Sequence, residues 1–392
     1  MELRKKYMYE IQLNSKYEFD LPIKKIDFRL GELIGDTRKI VVYLKNEFDN
    51  STFRYRYYNF NEALEKSQKY KILCFLTSEI EYLFPFLSKI SLIIFQRATW
   101  NFKINNLIQL AKHKHIKVVY DIDDLIYKQK YIPQYLNNSG IEDTTANVRH
   151  FLGEAGSMDL VAEQCDAFIC TTPFLKRKLE VDFNKSVYVI SNFYNKEQFD
   201  ISKKIEIERK FNSEKFWIGY FSGSASHIND FSVCKEEIEK FLFAHEDAAL
   251  KIVGYMELDE NWKMLEEQGK LFYKPFCPYQ ELQYEIAEVD VNIAPLSDNE
   301  FNCAKSELKF FEAAIVNIPS IVSNVGIYKN IIKNNNGILC NKGEWNKALE
   351  KMYNNVELRN SISKNAYNYA VNNYDFRNFA NKIENVYDSI ID

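Results

Sequence analysis

The chain lacks the features that mark several large classes of protein. It has no apolar run that approaches the roughly 18 residues needed to cross a membrane. It has no excess of positive charge, since its net charge is −4, and this argues against a protein whose main task is nucleic-acid binding. Its five histidines show no HExxH motif or paired-ligand spacing. Its amino terminus has basic residues without an apolar core after them, so we expect a cytoplasmic protein.

The seven cysteines are odd in number and scattered along the chain. Most lie inside or beside apolar runs, which favours reduced, buried thiols over disulfides or zinc ligands. The positions are Cys74, Cys165, Cys170, Cys234, Cys277, Cys303 and Cys340.

The length of 392 residues, with 46% hydrophobic and 27% charged residues, indicates about two globular domains. From Lys39 onward, short apolar strands alternate with helices, which is typical of parallel sheets buried on both faces and predicts doubly wound α/β domains. We predict a first domain over 1–194, a charged linker over 195–214 and a second domain over 215–375. A terminal helix at about 376–392 is able to pack back on the first domain. Residues 1–37 are read only as an extension or edge strand.

The stretch from Asn292 to Gly326 is the main candidate for a ligand-binding segment. It reads as a buried strand, a polar loop, a helix opening near Ser306 and a second strand. Lys305 and Lys309 flank the helix start, where the helix dipole already places positive charge, and a phosphate between them would relieve this. Taken alone, the segment is better explained by a surface ion pair between Lys309 and Glu312, three residues apart.

Two further loops of the second domain are candidates for binding. In the loop Ser222–His227, Gly223 lets backbone N–H groups approach an anion, although a lone glycine fits neither a Walker loop nor GxGxxG. An ordinary strand-to-helix turn, with His227 near the cap, is the alternative. The loop Lys274–Leu282 has two prolines and either presents backbone groups to a flat base or is a simple turn before a helix.

Charged residues also follow the predicted strands of the first domain. The sequence YDIDD ends a buried strand, and unpaired carboxylates are costly to bury, so we expect these acids to face a cleft. Capping of the next segment, a metal site and a phosphatase motif are the alternatives. Arginines that follow the first and third strands either face the same cleft or are solvated. The cleft or acceptor candidates are Asp121, Asp123, Asp124, Arg97, Arg54 and Arg56.

Together these segments resemble the retaining glycosyltransferases of family 4. That family has the GT-B fold, in which two Rossmann-like doubly wound domains face each other across a cleft. The resemblance is carried by FRYRYYNFNEAL, FQR, VVYDIDDLIY, DAFICTTPFLKRKL, VISN, IGYFSGSASHINDF, IAPLSDNEFNCAKSELKFFEAAIVNIPSIVSNVGIY and NNGILC.

The resemblance implies roles for particular residues. The second domain would bind a nucleotide-activated sugar and the first an acceptor. Glu312 would hold the ribose, and the sequence departs from the family's E-x7-E pattern because Ala304 replaces the first glutamate. Asp123 or Asp124 would orient the donor or the acceptor. The remaining donor contacts would be Gly223, Ser224, His227, Phe276, Lys305, Ser306 and Lys309.

The implied activity is sugar transfer from a UDP- or GDP-linked donor to a glycan, lipid-linked or protein-linked acceptor, with retention of configuration. No metal or other cofactor is expected, because Lys305 and Lys309 would stabilise the leaving diphosphate. The alternative is an inactive GT-B scaffold or partner subunit, which Ala304 favours. The basic segments KHKHIK and KQKYIP either touch the inner face of a membrane or are solvated.

Overall fold

The computed structural model describes residues 24–46, 51–208, 214–223, 228–254, 256 and 260–392. The chain forms two units, each built on a six-stranded parallel sheet. The first sheet consists of β1 (Lys39–Lys45), β2 (Tyr70–Leu76), β3 (Ile90–Gln96), β4 (Lys117–Ile122), β5 (Ala167–Cys170) and β6 (Ser186–Val189). The second consists of β7 (Phe216–Ser222), β8 (Ala248–Gly254), β9 (Leu271–Lys274), β10 (Val291–Ala294), β11 (Ser320–Ser323) and β12 (Ile338–Cys340).

Helices cover both faces of each sheet. Those of the first unit are α1 (Ile26–Gly35), α2 (Asn59–Ala63), α3 (Phe102–His113), α4 (Ile132–Asn138), α5 (Thr145–Ala162) and α6 (Pro173–Phe183). A π-helical turn spans Arg54–Tyr58, and 3-10 segments span Thr77–Lys89 and Gln129–Tyr131. The later helices are α7 (Lys196–Glu208), α8 (Ile228–Phe231), α9 (Lys235–Ala244), α10 (Glu260–Glu267), α11 (Tyr279–Ala287), α12 (Glu300–Cys303), α13 (Leu308–Ala314), α14 (Tyr328–Ile331), α15 (Trp345–Asn354), α16 (Val356–Tyr374) and α17 (Ala380–Ile391), with a 3-10 turn at Phe376–Asn378.

The strand order of both sheets is doubly wound, so the predicted architecture is confirmed. The orders are β2-β1-β3-β4-β5-β6 and β12-β11-β10-β7-β8-β9. The central strands are buried almost throughout, as the continuous apolar runs predicted. The direction of winding reverses between β1 and β3 in the first sheet and between β7 and β10 in the second. Loops at such a switch point diverge and leave a crevice for a ligand.

The predicted linker at 195–214 is helical over most of its length. The segment forms α7, which is 13 residues long and packs on α11. Its buried side chains are Gln198, Ile201, Ser202 and Ile205. The mixture of polar and apolar residues on this buried face hides the helical period, and residues 209–213 lie outside the described part of the chain.

The last helix returns to the first unit. Tyr387 in α17 shares a hydrogen bond of 2.9 Å with Tyr43 in β1. The hydroxyl of Tyr70 in β2 donates to the Asp388 carboxylate at 2.6 Å. The chain therefore crosses from the second unit back to the first near Asp375, which forms an isolated parallel bridge with Tyr194.

No described helix is both long and apolar enough to cross a membrane. None of the seven cysteines forms a disulfide, and all except the half-buried Cys303 are buried. Burial raises the pKa of several of these thiols, including Cys74 and Cys170, to about 12.

Candidate functional site

The candidate site lies where the carboxyl edge of the second sheet meets the first unit. Gly223 follows β7, and the segment that leads through α12 to α13 follows β10. These are the two strands at which the winding of the second sheet reverses. The predicted donor residues that the structure describes lie on these segments and on the loop after β9.

Lys305 lies in the turn before α13 and reaches the first unit. Its ammonium is 3.2 Å from Oδ2 of Asp124 and 4.4 Å from the centre of the Phe301 ring. Both side chains of the ion pair are largely buried, with exposed fractions of 15% and 16%. The structure therefore brings a predicted phosphate-binding cation together with a predicted catalytic carboxylate.

Lys309, in the first turn of α13, carries a buried ammonium. Among the described residues its Nζ has no hydrogen-bond partner, and it lies 4.7 Å from the centre of the Tyr220 ring. Burial lowers the pKa of Lys309 to about 8, although the Asp230 carboxylate opposes this change. Burying a charge without a partner is costly, so an anionic ligand would supply what the empty protein lacks.

Glu312 does not pair with Lys309, so the surface ion pair that the sequence allowed does not form among the described residues. The Glu312 carboxylate is buried and instead accepts from the hydroxyl of Tyr55. Nη2 of Arg54 also approaches its Oε1 at 3.3 Å. The guanidinium of Arg54 lies 4.3 Å from the ring centres of both Tyr55 and Tyr279. Arg54, expected to face an acceptor, is thus buried against the predicted ribose-binding residue.

Arg97 closes β3 and orders the acidic loop after β4. Its φ of 46° places the backbone in the left-handed region, which is uncommon for a residue with a side chain and turns the chain sharply. Nε of Arg97 lies 2.5 Å from Oδ1 of Asp123, and Nη2 lies 3.8 Å from Oδ2 of Asp124. Asp123 and Asp124 are thus held side by side near Lys305.

Asp121 and Arg56 lie below the surface, and their expected placement in the cleft is wrong. Both side chains are fully buried, and Nε of Arg56 is 3.0 Å from Oδ1 of Asp121. Burial raises the pKa of Asp121 to about 6, against the opposing effect of the Arg56 charge. The difference arises because Asp121 lies within β4, whereas Asp123 and Asp124 lie in the loop that follows the end of the strand at Ile122. The pair is part of the core of the first unit.

Arg56 also organises a contact to the second unit through Asn192. Its Nη1 donates to the carbonyl of Ile190 at 2.7 Å and to Oδ1 of Asn192 at 3.3 Å. Nδ2 of Asn192 in turn donates to Oγ of Ser306 at 3.1 Å. Ser306, a predicted diphosphate contact, is therefore fixed from the first unit.

Ala304 is fully buried at the contact between the units. Its carbonyl accepts a hydrogen bond of 3.2 Å from the Thr172 hydroxyl. The position at which the family pattern has a glutamate is thus occupied by a small side chain in a closed environment.

The loops after β7 and β9 lie beside each other. A methyl group built on the exposed Gly223 would be 4.0 Å from the Phe276 ring, so these two predicted donor residues are adjacent. Ser224 and His227 lie outside the described residues.

Sequence reasoning missed several contacts of the site. Tyr55 and Tyr279 enclose Arg54, and Asn192 fixes Ser306. The available signal for Asn192 was its position directly after a predicted strand, in VISN. Among the described residues no group of three carboxylate, histidine or cysteine side chains is arranged to hold a metal.

The two facing doubly wound units, with a charged cleft between their carboxyl edges, define a GT-B architecture. Comparison with known families agrees, because residues 203–369 match the family model described as glycosyl transferases group 1. This part of the chain is similar to that family, and the expected enzyme class, a glycosyltransferase, is confirmed. No curated protein matches the chain by sequence.

Solved structures show the same fold at low sequence identity. A variant of S. aureus TarM, in complex with fondaparinux, alpha-GlcNAc-glycerol and UDP, is 16% identical, with a TM-score of 0.52 over 79% of this chain and 58% of that one. Anabaena HepE in complex with UDP and glucose is 12% identical, with a TM-score of 0.58 over 90% of this chain and 100% of that one. Sucrose-phosphate synthase from Thermosynechococcus elongatus is 14% identical, with a TM-score of 0.60 over 90% and 99%.

Proposed function

We propose that the protein transfers a sugar from a UDP- or GDP-linked donor to a glycan, lipid-linked or protein-linked acceptor, with retention of anomeric configuration. The buried ammonium of Lys309, which has no hydrogen-bond partner among the described residues, carries the donor assignment. Lys305 lies four residues before it, and two cations at a switch point suit a diphosphate. The presence of UDP in the TarM and HepE structures supports the same donor class.

In the proposed reaction, the bond between the anomeric carbon and the diphosphate oxygen breaks while the acceptor oxygen bonds to that carbon. The acceptor proton passes to the leaving diphosphate, so no protein nucleophile is needed. Lys305 and Lys309 stabilise the negative charge on the leaving group. Asp123 and Asp124, held by Arg97, orient the donor hydroxyls or the acceptor. We expect turnover to continue in EDTA.

The test begins with a thermal-shift screen of the purified chain against UDP, GDP and their sugars, because a ligand that binds the folded state raises its melting temperature. Hydrolysis of labelled donors then identifies the sugar. NMR of the transferred sugar gives the anomeric configuration. An inverted product would refute the mechanism and make Asp123 or Asp124 a candidate general base.

A scaffold or partner subunit is the second candidate, and Ala304 is the observation that favours it. The alanine leaves this position of the family pattern without a carboxylate. A scaffold predicts no stabilisation by any nucleotide and no donor hydrolysis. The same screen therefore separates the two functions.

A groove on the first unit supports an acceptor position near the cleft. It has a volume of about 420 Å³, is lined by Thr77, Ser78, Asn101, Phe102 and Lys103, and lies at the carboxyl end of β2. Phe102 is 76% exposed, and an aromatic face beside hydroxyl and amide groups suits a sugar ring. Thr77 follows β2 and Arg97 follows β3, so the groove lies at the same carboxyl edge of the first sheet as Arg97.

We place the reaction in the cytoplasm, where nucleotide sugars are made. Of the two basic segments, KHKHIK, which joins the end of α3 to the start of β4, has its lysines and histidines exposed. In KQKYIP, Lys128 pairs with Asp159, and Lys130 pairs with Asp182. The first segment therefore offers more unpaired positive charge to a membrane surface, and co-sedimentation with anionic vesicles tests that contact.

A further inference from the structure

The carboxylate that is proposed to bind the ribose is held by the other unit of the protein. Oε1 of Glu312 accepts from the Tyr55 hydroxyl and is 3.3 Å from Nη2 of Arg54. All three residues are buried, with exposed fractions of 7% or less. Both contacts reach Oε1, so neither Tyr55 nor Arg54 occupies Oε2 of Glu312.

We propose that Tyr55 and Arg54 are positioning residues, which fix Oε1 of Glu312 so that Oε2 is presented to the ribose hydroxyls of the donor. This inference rests on the proposed function. Both units then contribute residues to the donor site. The π-helical turn that carries Arg54 and Tyr55 belongs to the first unit, and Glu312 belongs to the second. A nucleotide then binds tightly only when the two units are in contact.

The chemistry of Tyr55 suits this role. Burial and the neighbouring Glu312 raise the pKa of its hydroxyl well above the usual range, so Tyr55 remains a neutral hydrogen-bond donor. A hydroxyl that donates to Oε1 fixes the rotation of the carboxylate without neutralising it. Glu312 therefore stays an acceptor for the donor's hydroxyls.

Arg54 is itself fixed, so it can act as a rigid support. Its guanidinium lies between the rings of Tyr55 and Tyr279, and the Tyr279 hydroxyl contacts Glu197 in α7. Nε and Nη1 of Arg54 are buried without hydrogen-bond partners among the described residues. The segment therefore retains unused donors that an oxygen-rich ligand would satisfy.

The test compares a nucleotide with its analogue that lacks the ribose hydroxyls. Calorimetry is performed with whichever of UDP and GDP binds more tightly, and with its 2′,3′-dideoxy form. Tyr55→Phe should weaken binding of the complete nucleotide roughly tenfold, the effect of one hydrogen bond to a charged group, and leave the dideoxy form unchanged. Adding Tyr55→Phe to the Glu312→Gln variant should cause little further loss of nucleotide affinity, because Tyr55 is proposed to act only through the Glu312 carboxylate.

Tyr58→Phe is the matched control, since Tyr58 lies in the same turn and makes no hydrogen bond to Glu312. Melting curves must show that each variant is folded. If Tyr55→Phe weakens binding of both nucleotides equally, the role of Tyr55 is merely structural. If Tyr55→Phe tightens binding, Tyr55 competes with the ribose. Either result, or an unchanged affinity, overturns this inference but leaves the proposed function standing. If the wild-type protein binds neither UDP nor GDP, the proposed donor is refuted and this inference with it.

Discussion

Replacing Lys309 by methionine should make the empty protein more stable while removing its ability to bind a nucleoside diphosphate. Methionine keeps the length of the side chain over the Tyr220 ring and removes a charge that has no hydrogen-bond acceptor in the described part of the chain. The fall of the Lys309 pKa from 10.5 to about 8 corresponds to about 3 kcal/mol at roughly 1.36 kcal/mol per pKa unit. That is the largest gain in stability to expect at neutral pH.

The dependence on pH has a definite sign. The folded-state pKa of Lys309 lies below its unfolded value, so between about 8 and 10.5 the unfolded chain binds more protons than the folded one. The destabilisation by Lys309 is therefore fully present below pH 8 and is lost as the pH rises to 10.5. The advantage of Lys309→Met should shrink over the same range, which melting curves at several pH values will show.

Binding gives a second, independent measurement. At pH 8 about half of the Lys309 side chains are neutral, and a bound diphosphate should restore their charge, so each ligand should take up about half a proton. Calorimetry in buffers of different ionisation enthalpy measures this uptake, with the exposed Lys329→Met as the matched control. Unchanged diphosphate affinity in Lys309→Met, or wild-type binding without proton uptake, would refute the role of Lys309.

Three further changes test other parts of the molecule. Lys305→Ala should lower kcat by about 100-fold with a smaller effect on donor affinity. An equal loss of kcat and donor affinity would indicate that Lys305 contributes only to binding the donor in the ground state. Arg56→Met should destabilise the fold by about 3 to 5 kcal/mol because it leaves Asp121 buried without its partner, and the added change Asp121→Leu should recover most of this in melting experiments. Phe102→Ala should raise the acceptor KM and leave donor hydrolysis unchanged. If both change in parallel, the proposal that the groove binds the acceptor is refuted.

The sequence predicted the layout of the fold because a parallel sheet covered on both faces requires continuous apolar strands. The same reasoning failed for α7, where Gln198 and Ser202 occupy buried positions beside Ile201 and Ile205. A hydrophobic period cannot be recognised when polar side chains share the buried face. Local pattern therefore identifies strands better than helices that pack through mixed surfaces.

The sequence predicted the kind of site but not the side-chain contacts that its residues make. The spacing of Lys305, Lys309 and Glu312 marked a charged helix start. Nothing local shows that Glu312 contacts Tyr55, 257 residues away, because such a contact depends on how the two units meet. The reading of Asp121 failed for a related reason: the acids of YDIDD look alike in sequence, and the sequence does not show that β4 ends at Ile122, between the buried Asp121 and the two acids of the loop.

The energetic position of Lys309 also bears on the choice between an enzyme and an inactive scaffold. Ala304 removes one family carboxylate, but its carbonyl and small side chain are part of a closed contact, so the loss does not open the site. Lys309, by contrast, is buried in a way that lowers its pKa, so its charged form costs stability unless an anion binds beside it. A scaffold that never met an anion would be more stable with a neutral residue there. A bound diphosphate would place negative charge beside the buried ammonium, and this argues for a protein that binds its nucleotide.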